Sequence, residues 1–377
     1  LGILESNNVS LVFLISGLVI LGYASSISRQ NTYHDVVREV CGQRIGHLCE
    51  ICFVFNLFMI SVAFLVVVQD QLDKCKLYVL FLMKGEMPYH WYTDHRFALF
   101  VMCLIIILPL SIPKEIGIQK YTSVLGTLAA TYLSVAVIAK YYLKDEHTWF
   151  ILVTCNRLDS WASIFSVVPT ICFGFQCHEA CIAIYSSMEN KKITHWVFIS
   201  VTSMIFCLLI YTLTGVFGFL TFGREVASDI LMSYPGNDVV MIIARLLSLH
   251  TLCVHTLMLI LTQILRFWER RAIITSVFES RCRLILTILW ITVTLLIAIY
   301  VPDMSEVISI IGGISAFFIF IFPVFNYFPL LHFFSLQILF VPSRSILTGW
   351  GVVTVITGAF IFGQSTTIAV MELTHKF

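Results

Sequence analysis

Ten long stretches of the chain contain no Asp, Glu, Lys or Arg, and the charged residues cluster between them. A helix needs about 20 mainly apolar residues to cross the roughly 30 Å of hydrocarbon in a bilayer. Most of the stretches have this length, and they lack the polar–apolar alternation that a membrane-spanning barrel requires. The pattern predicts an all-α integral membrane protein with one transmembrane domain over residues 1–377. Ten helices are expected, at residues 9–25, 48–69, 97–113, 121–142, 161–188, 194–222, 239–265, 284–301, 305–327 and 347–370.

One of these stretches, Val307–Ser343, is too long for a single crossing, but two prolines interrupt it. Pro323 and Pro329 lack the backbone N–H that the interior of a helix needs. We therefore expect one helix that ends near Tyr327, followed by an atypical interfacial segment at residues 328–346.

The amino-acid composition also indicates that most of this chain is surrounded by lipid. Charged residues make up 12% of the sequence, whereas ordinary soluble domains carry roughly 25%. Apolar residues make up 59%, the mean hydropathy is +0.92 and the net charge is +1. These values exclude an ordinary soluble enzyme and a disordered chain, and the low net charge excludes a nucleic-acid binder, which needs a basic surface.

The basic residues between the predicted helices indicate an orientation. Loops after the first, third, fifth, seventh and ninth helices hold 13 Lys and Arg residues, against nine on the opposite side. Because basic loops are retained in the cytoplasm, this bias places both ends of the printed chain outside it. We therefore expect an upstream segment with an odd number of helices, most simply one.

The segment Trp161–Met188 combines features that are rare inside a membrane. Pro169 and Gly174 are five residues apart, and polar residues follow directly at Gln176–Glu179. One interpretation is a discontinuous helix whose free carbonyls and half-helix N-terminus bind a cation and a carboxylate. The other is a kinked continuous helix, with Glu179 near the cytoplasmic end and His178 held by packing. The residues alone leave both interpretations open.

Two other intramembrane features have simpler readings. Gly312–Gly313 favours close helix contact, because glycine lets two backbones approach each other. We expect Arg245, which lies in a predicted helix, to extend to the membrane surface or to pair with Asp238.

Chemical motifs are absent elsewhere in the sequence. No GxSxG, P-loop, HExxH or GxGxxG motif and no zinc-binding cysteine pattern occurs, so we expect no enzyme activity, no catalytic residue and no metal site. Hydroxyl groups at Thr251 and Thr256 are candidate sodium ligands, although such hydroxyls usually bond back to the preceding turn of the helix.

Seven segments resemble one known family. They are SLVFLISGLVILGYAS, ILPLSIPKEIGIQKYTSVLGTLAATYL, PTICFGFQCHEA, LTGVFGFLTFG, ILMSYPGND, SEVISIIGGISAFFIFIFP and GAFIFGQST, which occur in this order between Ser10 and Thr366. They resemble the sodium-coupled neutral amino acid transporters of the amino acid/auxin permease branch.

The resemblance implies a fold and a site. Members of this family have eleven transmembrane helices in a leucine-transporter-like bundle built from a five-plus-five inverted repeat, of which ten are expected here. The implied mechanism is alternating access, with sodium as the co-transported ion and no other cofactor. Trp161–Met188 resembles the broken sixth helix of the family. The resemblance then implies that six residues of this helix face the substrate: Thr170, Cys172, Phe173, Gly174, Phe175 and His178. Two residues are candidates for coupling transport to protons or ions, namely His178 and Glu179.

The chain also departs from the family. No counterpart of the first family helix, which supplies half of the substrate site and a sodium ligand, occurs in the sequence. Val254–Leu257 stands where the family has Thr-Val-Tyr-Pro, and Asn326–Thr348 does not match. An incomplete gene model and a truncated, transport-inactive isoform both account for these departures.

The leading hypothesis is a secondary active transporter of glutamine-like neutral amino acids, coupled to sodium. The alternatives are a membrane sensor or scaffold that binds amino acid without net transport, and an ion channel, for which no filter motif is visible. Expected partners are the amino acid, sodium and the lipid bilayer, with no nucleic acid. We expect the plasma membrane as the location, with the lysosomal membrane as the alternative.

Overall fold

The computed structural model describes residues 2–82, 95–107, 118–143, 161–249, 251, 276–300, 304–326 and 341–376. Within these ranges every regular element is helical. In chain order the elements are α1 (Gly2–Ser28), α2 (Tyr33–Cys41), α3 (Gln43–Leu82), α4 (His95–Met102), α5 (Ile118–Tyr142), α6 (Trp161–Gly174), α7 (His178–Ser187), α8 (Ile193–Phe222), α9 (Ile230–Ser233), α10 (Val239–Leu249), α11 (Ser276–Tyr300), α12 (Met304–Ala316) and α13 (Val341–Lys376). Two π-helical segments, Cys103–Ile107 and Phe317–Ile321, continue α4 and α12.

Seven stretches of the described helices are long and apolar enough to cross a membrane. They are Ser10–Ser28, Gln43–Lys74, Ser123–Tyr142, Val167–Ser187, Ile193–Phe222, Val307–Asn326 and Thr348–Met371. The apolar helices at Val239–Leu249 and Leu284–Tyr300 are shorter, and the predicted helix at residues 97–113 is described only as far as Ile107. The structure therefore agrees with an all-helical membrane protein, while ten crossings stay a prediction.

The last helix begins earlier than its sequence pattern predicts. Residues 341–346, expected in an interfacial segment, form the first turns of α13, and residues 327–340 lie outside the described ranges. Pro342 is the second residue of α13. A proline is tolerated in the first turn of a helix, because the N–H it lacks would have no partner there.

The chain forms two compact units that alternate along the sequence. The first unit comprises Leu1–Asn56, Cys155–Leu209 and Ile308–Phe377, and the second comprises Leu57–Thr154 and Ile210–Val307. The broken helix α6–α7 belongs to the first unit, together with α1, α2 and α13.

An aromatic cluster lies at the centre of the first unit, where α1 and α2 pack against α7 and the segment Phe317–Ile321 packs against α1 and α13. Tyr33 is buried there between Phe53, Phe318 and Phe322, with ring centroids 5.6–6.5 Å apart. Its hydroxyl donates a hydrogen bond to the carbonyl of Phe318 at 3.1 Å. Edge-on ring contacts of this kind add to the stabilisation from burial.

Two helix backbones approach each other closely at Gly312. A Cβ atom at this position would lie 2.3 Å from the carbonyl oxygen of Pro169 in α6, well inside van der Waals contact. The close helix contact that the paired glycines predict is therefore present, and its partner is the proline-containing half of the broken helix.

In the second unit, a buried arginine holds the chain between α8 and α10. Arg245 is 1% exposed, and its Nη2 donates to the carbonyls of Leu231, Tyr234 and Pro235 at 3.0, 3.0 and 3.2 Å. The expected pairing with Asp238 is not what the structure has, because the Asp238 carboxylate lies 2.5 Å from Lys140 Nζ of α5.

A second polar contact holds the same connection. Gln71 of α3 donates to the Asp229 carboxylate, which also accepts from the N–H of Leu231 at 3.0 Å. Burial raises the pKa of Asp229, while these two donors and the charge of Arg245 act to lower it. The connection is therefore tied to α3, α5 and α10 through side chains.

The Gly312 contact leads to a stability prediction. Gly312→Ala introduces a methyl group against a backbone carbonyl that has no rotamer with which to move away, so we expect a loss of about 1–3 kcal/mol, as for other overpacked sites. The measurement is the thermal unfolding of the purified protein in detergent. Gly363→Ala is the matched control, since a Cβ at Gly363 has no atom within 4 Å. Equal melting temperatures for the two variants would contradict the prediction.

Candidate functional site

The candidate site lies at the broken helix of the first unit. α6 ends at Gly174, α7 begins at His178, and the three residues between them are not helical. The last turn tightens as the N–H of Gln176 bonds to the carbonyl of Phe173 at 3.1 Å. Cys177 has φ −126° and ψ 2°, and its side chain does not cap α7. Of the two interpretations of this segment, the structure has the discontinuous helix.

The predicted substrate residues divide between two faces of this helix. Thr170 and Gly174 are exposed in the isolated chain, and Phe173 is partly exposed. Cys172 and Phe175 are buried, at 4% and 6% exposure. The division follows from helical geometry, because residues spaced by three or four lie on one face.

Cys177 extends the exposed face across the break, and the sequence reasoning missed it. It is exposed and carries a free thiol. Its spacing from Thr170 and Gly174 could not have identified it, because residues 175–177 leave the helical pattern and helical periodicity does not extend across the break.

His178 lies on the buried side of the broken helix. Its side chain is fully buried, and its Nε2 lies 3.0 Å from the carbonyl oxygen of Leu14 in α1. A carbonyl oxygen only accepts, so Nε2 carries the proton of the ring. Nδ1 has no hydrogen-bond partner among the described residues.

The neighbouring Glu179 is also buried, and its partner comes from another helix. Asn56 Nδ2 of α3 donates to Glu179 Oε1 at 2.7 Å. In the sequence, Asn56 lies within a long run without charged residues, and the search for charged groups therefore missed it. A single amide deep in an apolar helix is nevertheless informative, because an unsatisfied polar group is costly inside a membrane. Glu179 also lies in the first turn of α7, where a negative charge is favoured by the helix dipole.

Gln176 connects the break to α12. Its Oε1 lies 2.5 Å from Ser315 Oγ, which is itself 2.8 Å from the carbonyl oxygen of Ile311. The Nε2 of Gln176 has no hydrogen-bond partner within the described part of the chain. An amide donor is therefore held in place beside the break.

The candidate sodium ligands are described only in part. Thr251 Oγ1 donates to the carbonyl of Leu247 at 2.8 Å, which is the bond back to the preceding turn. Thr256 lies outside the described residues. Within the described ranges, no group of three or more His, Cys, Asp or Glu residues is arranged to hold a metal ion.

Comparison of the sequence with known proteins identifies the family of this chain. The family described as "Transmembrane amino acid transporter protein" matches residues 2–369. A relative in Xenopus tropicalis, "Putative sodium-coupled neutral amino acid transporter 8", is 56% identical over 384 residues, covering 98% of this chain and 86% of the relative. "Solute carrier family 38 member 8" of Homo sapiens is 50% identical over 378 residues, covering 97% of this chain and 85% of the relative.

The order of similarity among family members is also clear. "Sodium-coupled neutral amino acid transporter 7" of Danio rerio is 41% identical over 375 residues, covering 96% of this chain and 79% of the relative. The stretches Asn56–Lys74 and Gly312–Pro323 predict a greater similarity to member eight than to member seven, and these identities confirm it. The relatives are named as transporters and not as enzymes. The chain belongs to the transmembrane amino acid transporter family, and within it to the sodium-coupled neutral amino acid transporters of solute carrier family 38.

Proposed function

We propose that this protein is a secondary active transporter that carries a glutamine-like neutral amino acid together with sodium by alternating access, in a leucine-transporter-like bundle. The family match over residues 2–369 carries the proposal. The discontinuous helix α6–α7 supports it, because a break with free backbone groups is the usual form of a midplane substrate site in such transporters.

The proposal assigns roles to the groups around the break. The N–H groups at the N-terminal end of α7 have no partner within the helix and donate to the substrate carboxylate, while the Glu179 carboxylate is held by Asn56 on the buried side. The carbonyls at the end of α6 accept hydrogen bonds from the ammonium group. Thr170 and Gly174 line the path on the exposed face, with Phe173 at its edge, and Cys172 and Phe175 pack behind them.

A glutamine-like substrate also brings an amide side chain. Gln176 Nε2 is a donor without a partner in the described ranges, held by the contact of its oxygen with Ser315. A substrate carbonyl or carboxylate oxygen within reach would satisfy it, and leaving it unsatisfied is costly. We assign Gln176 to substrate binding for this reason.

Sodium coupling is proposed through hydroxyl and carbonyl oxygens, the ligands that hard cations prefer. Thr251 remains a candidate although it donates to Leu247, because its oxygen retains a lone pair for a cation. Thr256 is the second candidate ligand. We propose the plasma membrane as the location, with the lysosomal membrane as the alternative.

Uptake of labelled glutamine tests the function. Cells that express the protein should accumulate label faster than mock-transfected cells, and replacing sodium by choline should remove most of the excess. Surface biotinylation of the same cells separates the plasma membrane from an internal location. Binding of glutamine to the purified protein without any flux would favour a sensor over a transporter.

Thr170 allows a sharper test of the site. Thr170→Val keeps the shape of the side chain but removes a hydroxyl, so we expect the KM for glutamine to rise several-fold, as for the loss of one hydrogen bond of about 1 kcal/mol. Thr366→Val is the matched control, because Thr366 is exposed on α13 and its hydroxyl bonds back to Phe362 at 2.8 Å. The same rise in both variants would remove Thr170 from the site.

Glu179 is proposed as a coupling residue, and its contact with Asn56 allows charge and structure to be separated. In Glu179→Gln the amide oxygen still accepts from Asn56, so we expect a melting temperature near that of the wild type, while the loss of the charge should weaken the dependence of uptake on sodium. Glu179→Leu leaves the Asn56 donor buried without that acceptor, at a cost of about 1–3 kcal/mol.

A dependence of uptake on sodium that Glu179→Gln leaves unchanged would exclude this carboxylate from coupling.

A further inference from the structure

Two backbone carbonyls of α1 accept hydrogen bonds from side chains of other helices. The carbonyl of Leu14 accepts from His178 Nε2 at 3.0 Å. The carbonyl of Leu18 accepts from Trp196 Nε1 at 3.0 Å and from Cys181 Sγ at 3.7 Å. Since Leu14 and Leu18 are four residues apart, both carbonyls lie on one face of α1.

Glycines on α1 make room for these donors. A Cβ at Gly17 would lie 2.9 Å from His178 Nε2 and 2.9 Å from the carbonyl oxygen of Ile319. A Cβ at Gly22 would lie 2.4 Å from Trp196 Nε1. The two ring nitrogens therefore reach the α1 backbone only because side chains are missing at these two positions.

The three donors hold the beginning of α7 and the beginning of α8. His178 is the first residue of α7, Cys181 lies one turn later, and Trp196 lies in the first turn of α8. The ring of Tyr185 meets Trp196 edge-on at 5.5 Å, and its hydroxyl donates to the carbonyl of Lys191 at 2.6 Å. The contacts with α1 thus hold the first turn of α7 directly, and Tyr185 connects the last turn of α7 to Trp196.

The position of His178 bears on its role at the break. Its ring is fully buried, and its only protonated nitrogen is committed to Leu14. The exposed residues of the broken helix, Thr170, Gly174 and Cys177, lie on a different face from the buried His178. The imidazole therefore has no free donor to offer to a substrate on that exposed face, and its free acceptor, Nδ1, is buried with the ring.

We propose that His178 is a positioning residue: it anchors the first turn of α7 to the Leu14 carbonyl of α1 and so sets the place of the α7 N-terminus, without touching the substrate. This inference rests on the proposed function and replaces the direct substrate contact that the family resemblance implies for this residue. It assigns Gly17 a role as well, since any side chain at that position displaces the ring.

The chemistry of the anchor distinguishes positioning from direct contact. Glutamine Nε2 lies at about the same distance from its backbone as imidazole Nε2, so His178→Gln retains a donor for the Leu14 carbonyl. His178→Leu fills the same space without a donor. Because the α7 N-terminus binds the carboxylate that all amino acids share, its displacement weakens every substrate to the same extent.

Uptake kinetics of these two variants test the anchor. We expect His178→Gln to keep the KM for glutamine and for alanine within about two-fold of the wild type. We expect His178→Leu to raise both values about ten-fold, a change of 1.4 kcal/mol in affinity, with an unchanged ratio between the two substrates. The matched control is His195→Leu, because His195 is exposed at the beginning of α8.

Several outcomes overturn the proposal. A rise in KM for His178→Gln, or a changed glutamine-to-alanine ratio in either variant, would show that the imidazole contacts the substrate. An unchanged KM in His178→Leu would show that the anchor has no part in binding. If His178→Leu does not reach the membrane, the result for His178→Gln decides alone.

Failure of the proposed function has a different signature. The wild-type protein would then show no uptake above mock-transfected cells, and thermal unfolding would test the anchor. We expect His178→Gln to unfold near the wild-type temperature and His178→Leu several degrees lower. Equal unfolding temperatures for these two variants would overturn the anchor itself.

Discussion

Backbone polar groups inside a membrane have no water to bond with, and the first unit is organised by this constraint. A continuous helix satisfies it within itself, but the residues between α6 and α7 leave that pattern. A break of this kind is tolerated only where protein surrounds it or where it lines a polar cavity. Polar side chains of neighbouring helices lie at the break, where Ser315 contacts the side chain of Gln176 and Asn56 contacts the side chain of Glu179.

Glycines then determine how closely the neighbouring helices approach the break. Gly312 lets α12 lie against the carbonyl of Pro169 in α6, and Gly17 lets His178 of α7 reach the backbone of α1. The two halves of the broken helix are thus held at glycine contacts on two different helices. The hydrophobic effect does not drive helices together in lipid, so close packing at small residues holds them together instead.

The second unit also contains backbone groups outside regular helices, and a charged side chain bonds to them. Arg245 donates to three carbonyls of the connection between α8 and α10, so a buried cation satisfies groups that leave the helical pattern. Asp229 and Gln71 complete this set of contacts. All three contacts come from one nitrogen, Nη2, which has two N–H groups and therefore shares one of them between two carbonyls.

The sequence by itself determined the all-helical membrane class and the family, and it marked the segment where a break or a kink would lie. Charge-free runs, the Pro169–Gly174 spacing and the family motifs are local features, and helical periodicity translates them directly into structure. It did not determine which side chains meet there. His178 and Leu14 are 164 residues apart, and Asn56 and Glu179 are 123 residues apart. Only the tertiary structure decided that His178 points to α1 and that Asp238 pairs with Lys140, because contacts at such separations depend on how helices pack and not on the pattern within any one of them.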